Sequence, residues 1–166
     1  PSEDNKAIIG NGMPKMFAAL QANYRWKGLD VSVSFRGAFG FDILNAYRMK
    51  YETLAWLSSF NVPKSAYQKV GEYYNFAPSI YSDRYIESGD YVKLDNLTIG
   101  YTFDLSQRNK VIRSIRVFCT GMNLLTISGY SGLDPEVAIV GLTPGVDPIN
   151  KYPNLRSYIV GASFNF

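Results

Sequence analysis

The chain has 166 residues, of which 46% are hydrophobic, 15% aromatic and 19% charged, a length and mixture that suit one folded domain. Its 17 Lys and Arg against 14 Asp and Glu leave a formal charge of +3, too small and too dispersed for a nucleic-acid footprint. A single cysteine, Cys119, and the absence of histidine exclude an intramolecular disulfide, Ser-His-Asp triads and the commonest zinc sites.

No run of roughly 18 apolar residues occurs, so a transmembrane helix is excluded. Transmembrane strands are not: when lipid-facing and lumen-facing residues alternate, the mean hydropathy is that of a soluble protein, as the value of −0.11 is here. The sequence starts at Pro1 without a basic-then-apolar leader and reads as a mature protein or a piece of one.

From Lys15 to Trp26 the residues separate by parity, with Met16, Ala18, Leu20, Ala22, Tyr24 and Trp26 on one side and Lys15, Gln21, Asn23 and Arg25 on the other. That is period two, a strand over 15–26. After the turn signal Lys27-Gly28, Leu29, Val31, Val33 and Phe35 alternate with Asp30, Ser32, Ser34 and Arg36, predicting a second strand over 29–40 and a hairpin. Both are long enough to cross a bilayer, which takes about 9 to 11 residues.

The rhythm then lapses over 41–90, far beyond the usual connection of about 4 to 6 residues. Within this loop the spacing of Ile43, Tyr47, Leu54 and Leu57 predicts a helix from Ile43 to Phe60, stopped by Val62-Pro63. Alternation resumes in a strand over 91–103, where Leu97, Ile99, Tyr101 and Phe103 oppose Asn96, Thr98, Gly100 and Thr102. Lys93 and Asp95 share the parity of Leu97, so that portion is expected to stand above the membrane or to contain a bulge. A fourth strand over 114–127 places Ile115, Val117, Cys119 and Gly121 opposite Arg116 and Thr120, which turns Cys119 toward lipid. A Gly- and Pro-rich loop over 128–154 leads to a last strand over 155–166, ending in Phe166.

Short and long connections alternate strictly along these five strands. Outer-membrane barrels have short periplasmic turns and long extracellular loops, whereas a soluble sandwich has no reason to sort its connections by length. The smallest membrane barrels have about eight strands, and an open edge in hydrocarbon leaves backbone groups unsatisfied. The expected fold is therefore all-β, an antiparallel transmembrane β-barrel of which this chain is a portion. Tyr24, Trp26, Tyr101, Phe103, Phe164 and Phe166 fall at strand ends that would form one periplasmic aromatic girdle.

Other patterns carry no site. Gly10, Gly12, Gly37 and Gly40 lack the Lys-Ser/Thr of a phosphate loop and read as turns and bulges. Asp134, Glu136 and Asp147 lack the spacing of a calcium loop and read as turn residues, and no cleft is predicted around them for glycoside hydrolysis. Without histidine or a convincing nucleophile and base pair, no enzyme is expected, and neither a cofactor nor a metal.

The segments IIGNGMPKMF, FRGAFGFDILNA, ESGDYVKLDNLTIGYTF, GMNLLTISGYSGLDPEV, PGVD and YPNLRSYIVGASFNF span nearly the whole chain in order. Together they resemble the carboxyl-terminal region of SusC/RagA-family TonB-dependent outer-membrane transporters of Bacteroidetes. The resemblance implies the last five strands of a barrel of about 22 strands with a plugged lumen. It also implies a SusD-like lipoprotein lid over the extracellular mouth, import of oligosaccharides or oligopeptides, and energy drawn from TonB through the amino-terminal part of the transporter, which lies outside this chain. The surrounding solvent would be outer-membrane lipid.

On that frame Gln21, Asn23, Arg25, Arg36 and Arg116 are candidates for lining a substrate path or holding the plug, or else belong to a solvated barrel interior. Tyr73, Tyr74, Phe76, Tyr81 and Tyr85 are candidates for contact with the lid or with sugar rings, or else pack within their own loop. Phe166 resembles the terminal signal read by the barrel-assembly machinery. The competing reading from another class is a soluble all-β module that binds carbohydrate through its loop aromatics.

Overall fold

The computed structural model describes residues 6–70, 73–76, 80–106 and 111–166, with the backbone alone at 69–70 and 73–74. Ten strands occur in them: β1 (Met16–Trp26), β2 (Leu29–Phe39), β3 (Asp42–Asn45), β4 (Lys69–Val70), β5 (Tyr73–Tyr74), β6 (Ile86–Ser88), β7 (Tyr91–Asp104), β8 (Ser114–Ser128), β9 (Val146–Asp147) and β10 (Ser157–Asn165). One α-helix, α1, covers Ala46–Tyr51. The chain divides into two compact units: a sheet unit of Phe17–Ala38, Tyr91–Ser128 and Asn154–Phe166, and a loop unit of Pro1–Met16, Phe39–Asp90 and Gly129–Pro153. No helix among the described residues is long and apolar enough to cross a membrane.

The sheet unit is a five-stranded sheet in the order β1-β2-β7-β8-β10. Lys27 and Gly28 join β1 to β2 with φ of 46° and 90°, the paired positive values that let a two-residue turn follow the twist of its strands. Pairing from β2 through β10 is antiparallel, and its register aligns like with like. Val31, Ile99, Cys119 and Val160 form one cross-strand row, and Leu29, Tyr101, Val117 and Ala162 form another. Between them lies the row Asp30, Gly100, Phe118 and Gly161, and beyond it the row Ser32, Thr98, Thr120 and Ile159. The hydroxyls of Thr98 and Thr120 meet at 2.8 Å. Period-two side chains thus give the sheet an apolar face and a polar one.

The apolar face is uncovered in this chain: Val160 is 76% exposed, Tyr158 70% and Ile99 48%. An apolar side chain of this size left in water forgoes about 1.5 to 3 kcal/mol of burial, so a contiguous face of them calls for a non-aqueous surrounding.

Asp95 resolves the parity conflict of β7. Ser34 pairs with Asn96 and the next residue of β2, Phe35, pairs with Leu94, so Asp95 is an extra residue on β7. The bulge returns Leu94 and Val92 to the side of Leu97 and sets Lys93 opposite Arg36 on the polar face. On the β8 side the register also shifts, between Leu94 and Asn96, next to Asn123 with its φ of 54°.

The loop unit is built around a small sheet in the order β6-β3-β9, in which β3 pairs antiparallel with β6 and parallel with β9. Phe41, Ile43, Leu54, Ala66, Tyr85, Tyr130 and Val137 are its buried apolar residues. The helix expected from Ile43 to Phe60 is six residues long. Ile43 is fully buried in β3, where backbone pairing with Glu87 fixes it as a strand residue. Asn45 caps α1, its side-chain oxygen accepting from the Arg48 N–H at 2.9 Å. Thr53 is extended, with its hydroxyl donating to the Asn75 carbonyl, and the chain continues as a 3-10 turn at Leu54–Trp56. The helix therefore ends at Tyr51, well before Pro63.

Gly12 is neither a turn nor a bulge residue. A Cβ there would lie 2.1 Å from the Pro144 carbonyl oxygen, and one on Gly145, whose φ is 73°, would lie 2.3 Å from the Gly12 Cα. The two glycines let two backbones cross at contact distance. Beside them Asn11 and Asp42 exchange bonds: the Asp42 N–H donates to the Asn11 carbonyl at 2.7 Å, and the Asn11 N–H donates to Asp42 Oδ2 at 2.9 Å.

Candidate functional site

Glu87 on β6 is the centre of the loop unit's polar network. Its carboxylate accepts from Arg48 Nη1 at 2.6 Å, the Ser131 N–H at 2.7 Å, the Ser131 hydroxyl at 2.8 Å and Asn45 Nδ2 at 3.2 Å. Arg48 also donates through Nε to Glu52 at 2.9 Å, and Arg84 lies 3.8 Å from the same carboxylate. Asn45 and Glu52 are buried to 1% exposure, and no buried side-chain polar atom among the described residues lacks a partner. Burial alone would raise the Glu87 pKa, yet the bonds from Arg48 and Ser131 outweigh it and hold the carboxyl below its ordinary range. Burial likewise disfavours the Arg48 cation, and its bonds to Glu87 and Glu52 reverse the effect.

The network ties the two long connections together. Ser131 belongs to the second and Glu87 to the first, and the Tyr130 hydroxyl donates to Asp147 at 2.5 Å within the second. Burial first, then the Asp147 carboxylate, push the Tyr130 pKa up, so the phenol remains a donor.

Beside this network a pocket of about 560 Å³ opens, with Asn45 and Arg48 on its polar side and Tyr47, Leu133 and Ile149 on its apolar side. Its size falls within the range of small-ligand sites. Lys151 also lines it, with the ammonium donating to the carbonyls of Asp134, at 3.2 Å, and Glu136. Asp134 Oδ1 accepts from the Glu136 N–H at 2.9 Å, which makes this segment a side-chain-closed turn. Asp147, bonded by Tyr130, lines the pocket as well. Among the described residues no group of three or more His, Cys, Asp or Glu is arranged to hold a metal ion.

The loop aromatics do not act as one set. Tyr81 is 74% exposed and Phe76 64%, and both rings are available to a partner. Tyr85 is 6% exposed, with its hydroxyl 3.4 Å from Asn75 Nδ2 and the Arg84 guanidinium 5.7 Å from its ring. It is a packing residue and does not face a lid or a sugar. The side chains of Tyr73 and Tyr74 lie outside the described residues.

On the polar face of the sheet, Arg116 donates through Nε and Nη2 to the two oxygens of Asp30, at 2.9 and 2.5 Å. Arg36 donates to Asp95 at 3.0 Å. Gln21, Asn23 and Arg25 are exposed on β1, and Arg25 borders a recess of about 390 Å³ with Lys27, Asp30, Thr102 and Arg116. Phe166 follows the end of β10 and is exposed.

Sequence reasoning missed Glu87, Asn45, Ser131 and Asp30. Glu87 and Ser131 stand within the segments ESGDYVKL and GYSGLDPEV, but a bond between residues 44 apart leaves no spacing to read. For Asp30 there was a signal: a glycine inside a strand, Gly100, marks close approach by something from a neighbour.

No family model matches the chain. Among curated proteins, TonB-dependent receptor P3 of Formosa agariphila is 26% identical over 190 residues, covering 99% of this chain and 18% of that protein. TonB-dependent receptor SusC of Bacteroides thetaiotaomicron is 27% identical over 168 residues, covering 98% of this chain and 16% of its own length. Among solved structures, the RagAB peptide importer in its closed-closed state matches with a TM-score of 0.79 and 26% identity, over 93% of this chain and 18% of that one. Its open-open state matches in fold with a TM-score of 0.70 and 24% identity, over 93% of this chain and 17% of that one. The chain thus spans less than a fifth of the length of these relatives.

Proposed function

Because this chain is a homologue of the SusC/RagA type of TonB-dependent receptor, we propose that it is the carboxyl-terminal wall section of an outer-membrane importer. Its five long strands are the last of a barrel of about 22. The observation that carries this reading is the uncovered apolar face, whose rows run in register from β2 to β10. Lipid is the surrounding that suits such a face, and the polar face then lines the lumen. A soluble carbohydrate-binding module would have to cover the same rows with protein.

In this reading Gln21, Asn23, Arg25, Arg36 and Arg116 face the plug and the substrate path. The pocket and the exposed Phe76 and Tyr81, carried by the two long connections, serve contact with a SusD-like lipoprotein lid and with the substrate. Antiparallel order supports this, since the connections from β2 to β7 and from β8 to β10 leave the same end of the sheet. The substrate is an oligopeptide or an oligosaccharide; the solved neighbours are peptide importers. TonB acts through the part of the transporter outside these residues.

The test is purification of the polypeptide carrying this sequence from native outer membranes, followed by its denatured mass and the identity of what accompanies it. A polypeptide several-fold heavier than 18.6 kDa with a bound lipoprotein is the expected result. A species of 18.6 kDa alone in the soluble fraction would replace the wall with the binding module.

A further inference from the structure

Asp147 on β9 stands beside Asn45, its register partner on β3, in the wall of the loop unit's pocket. It is 7% exposed. Its Oδ2 accepts from the Tyr130 hydroxyl, and among the described residues its Oδ1 accepts from nothing. Since no buried side-chain oxygen or nitrogen among these residues lacks a partner, Oδ1 is reached from outside the protein. The opening that Asp147 lines is the pocket.

Tyr130 supplies this carboxylate with a hydrogen bond and no charge. Arg48 and Lys151 line the same pocket, together with Glu52, Asp134 and Asp147, and both cations are engaged elsewhere. Arg48 already faces two carboxylates, Glu52 and Glu87, and Lys151 donates to the carbonyls of Asp134 and Glu136. Among the described residues no cation comes within ion-pair distance of Asp147. A carboxylate so far removed from water is costly unless a cation meets it. That cation is not a metal ion, which needs several ligands at once, because no group of three or more acidic residues is arranged to hold one among the described residues. The remaining wall is apolar, with Tyr47, Leu133, Pro148 and Ile149.

We infer that this pocket takes an oligopeptide by an ammonium group, that of its amino terminus or of a Lys side chain, with the ammonium on Asp147 Oδ1 and the aliphatic stem against Tyr47, Leu133 and Ile149. The inference rests on the importer reading above and narrows its substrate to a peptide. A Lys stem is apolar up to its charged head, which is the order of chemistry the pocket presents. A neutral sugar can donate to Oδ1 but brings no charge, and its other hydroxyls meet the apolar wall unpaired. An amino sugar brings the charge and the same unpaired hydroxyls.

Titration calorimetry on the full-length transporter tests this with three probes: Leu-Leu-Leu-amide with a free amino terminus, its acetylated form, and acetyl-Leu-Lys-Leu-amide. In the wild type at least one ammonium peptide is expected to bind about tenfold tighter than the neutral acetylated one, and which of the two does so identifies the source of the ammonium. Asp147→Asn, which keeps an acceptor for Tyr130, should abolish the preference. Leu133→Lys, at an exposed position lining the pocket, places a competing ammonium there without touching the buried carboxylate and should abolish it too. Equal binding of all three peptides by the wild type overturns the inference, as does a preference that survives in Leu133→Lys and Asp147→Asn. A glucosamine trimer that binds as tightly as the ammonium peptides overturns the peptide occupant. So does loss of the accompanying lipoprotein from Asp147→Asn with peptide binding unchanged, since the seat then belongs to the lid. The importer reading fails on a different observable, a species of 18.6 kDa alone in the soluble fraction.

Discussion

Arg116 on β8 reaches across β7 to grip Asp30 on β2, and it does so over Gly100, the one residue of the intervening strand that leaves room. A Cβ on Gly100 would lie 2.6 Å from Arg116 Nη2 and 2.7 Å from Asp30 Oδ1. Three strands are thereby clamped by one bidentate pair.

Because the atoms met at Gly100 are side-chain tips, Gly100→Ala is expected to push the pair apart at modest cost, below about 1 kcal/mol for a partly exposed ion pair. Gly12→Ala meets the Pro144 backbone at 2.1 Å, where nothing can swing aside, and should cost more, about 1 to 3 kcal/mol. Denaturant midpoints of the purified full-length protein, followed at the sheet and at the loops, check the order of the two.

Glu87 gathers donors from both long connections, so Glu87→Gln should loosen them together. An expected loss of about 1 to 3 kcal/mol follows from leaving the Arg48 and Ser131 donors poorly paired. Faster hydrogen exchange at the Ser131 amide, with unchanged exchange at Ile99 in the sheet, is the readout.

The same carboxylate makes the loop unit sensitive to acid. Glu87 is held below the ordinary glutamate value of 4.5, so the folded form favours the ionised group. Its contribution is fully present above about pH 4.5 and is lost as pH falls through the lowered value. Limited proteolysis of the loops between pH 7 and pH 3 should show protection falling over that acid window in the wild type and a flatter profile in Glu87→Gln.

Tyr81 and Tyr85 are expected to separate binding from folding. Tyr85→Ala empties a buried site and should cost about 3 to 5 kcal/mol, as loss of a large aromatic does. Tyr81→Ala should change stability by less than about 0.5 kcal/mol while, on the function proposed above, weakening capture of the lipoprotein lid or substrate. Thermal melting and co-purification of the lipoprotein distinguish the two variants.

The strands were legible where side chains alternate without interruption, as from Leu29 to Arg36, because one-sided burial writes period two into the sequence. The clash of Lys93 and Asp95 with Leu97 was legible as a choice between a bulge and a segment above the membrane, and the register shift shows the bulge. The loop helix is shorter than its spacing predicts. Ile43 and Tyr47 stand one helical turn apart, but the pairing of Ile43 with a residue 44 positions away decides its conformation, and local spacing contains nothing of that. The polar network was hidden for the same reason: Glu87 with Ser131, and Asp30 with Arg116, meet only after the chain has folded. Aromatic loop residues looked alike in the sequence, and only burial separates Tyr85 from Tyr81.

The most direct test of the wall is accessibility along its rows. In the full-length transporter, reconstituted in lipid with Cys119→Ser, single spin labels at Ile99 and Val160 on the apolar face are compared with labels at Thr98 and Thr120 on the polar face, using oxygen and a water-soluble nickel complex as relaxing agents. Oxygen should dominate at Ile99 and Val160 and the nickel complex at Thr98 and Thr120, alternating residue by residue. Equal access to the nickel complex at all four positions would contradict a lipid-facing wall.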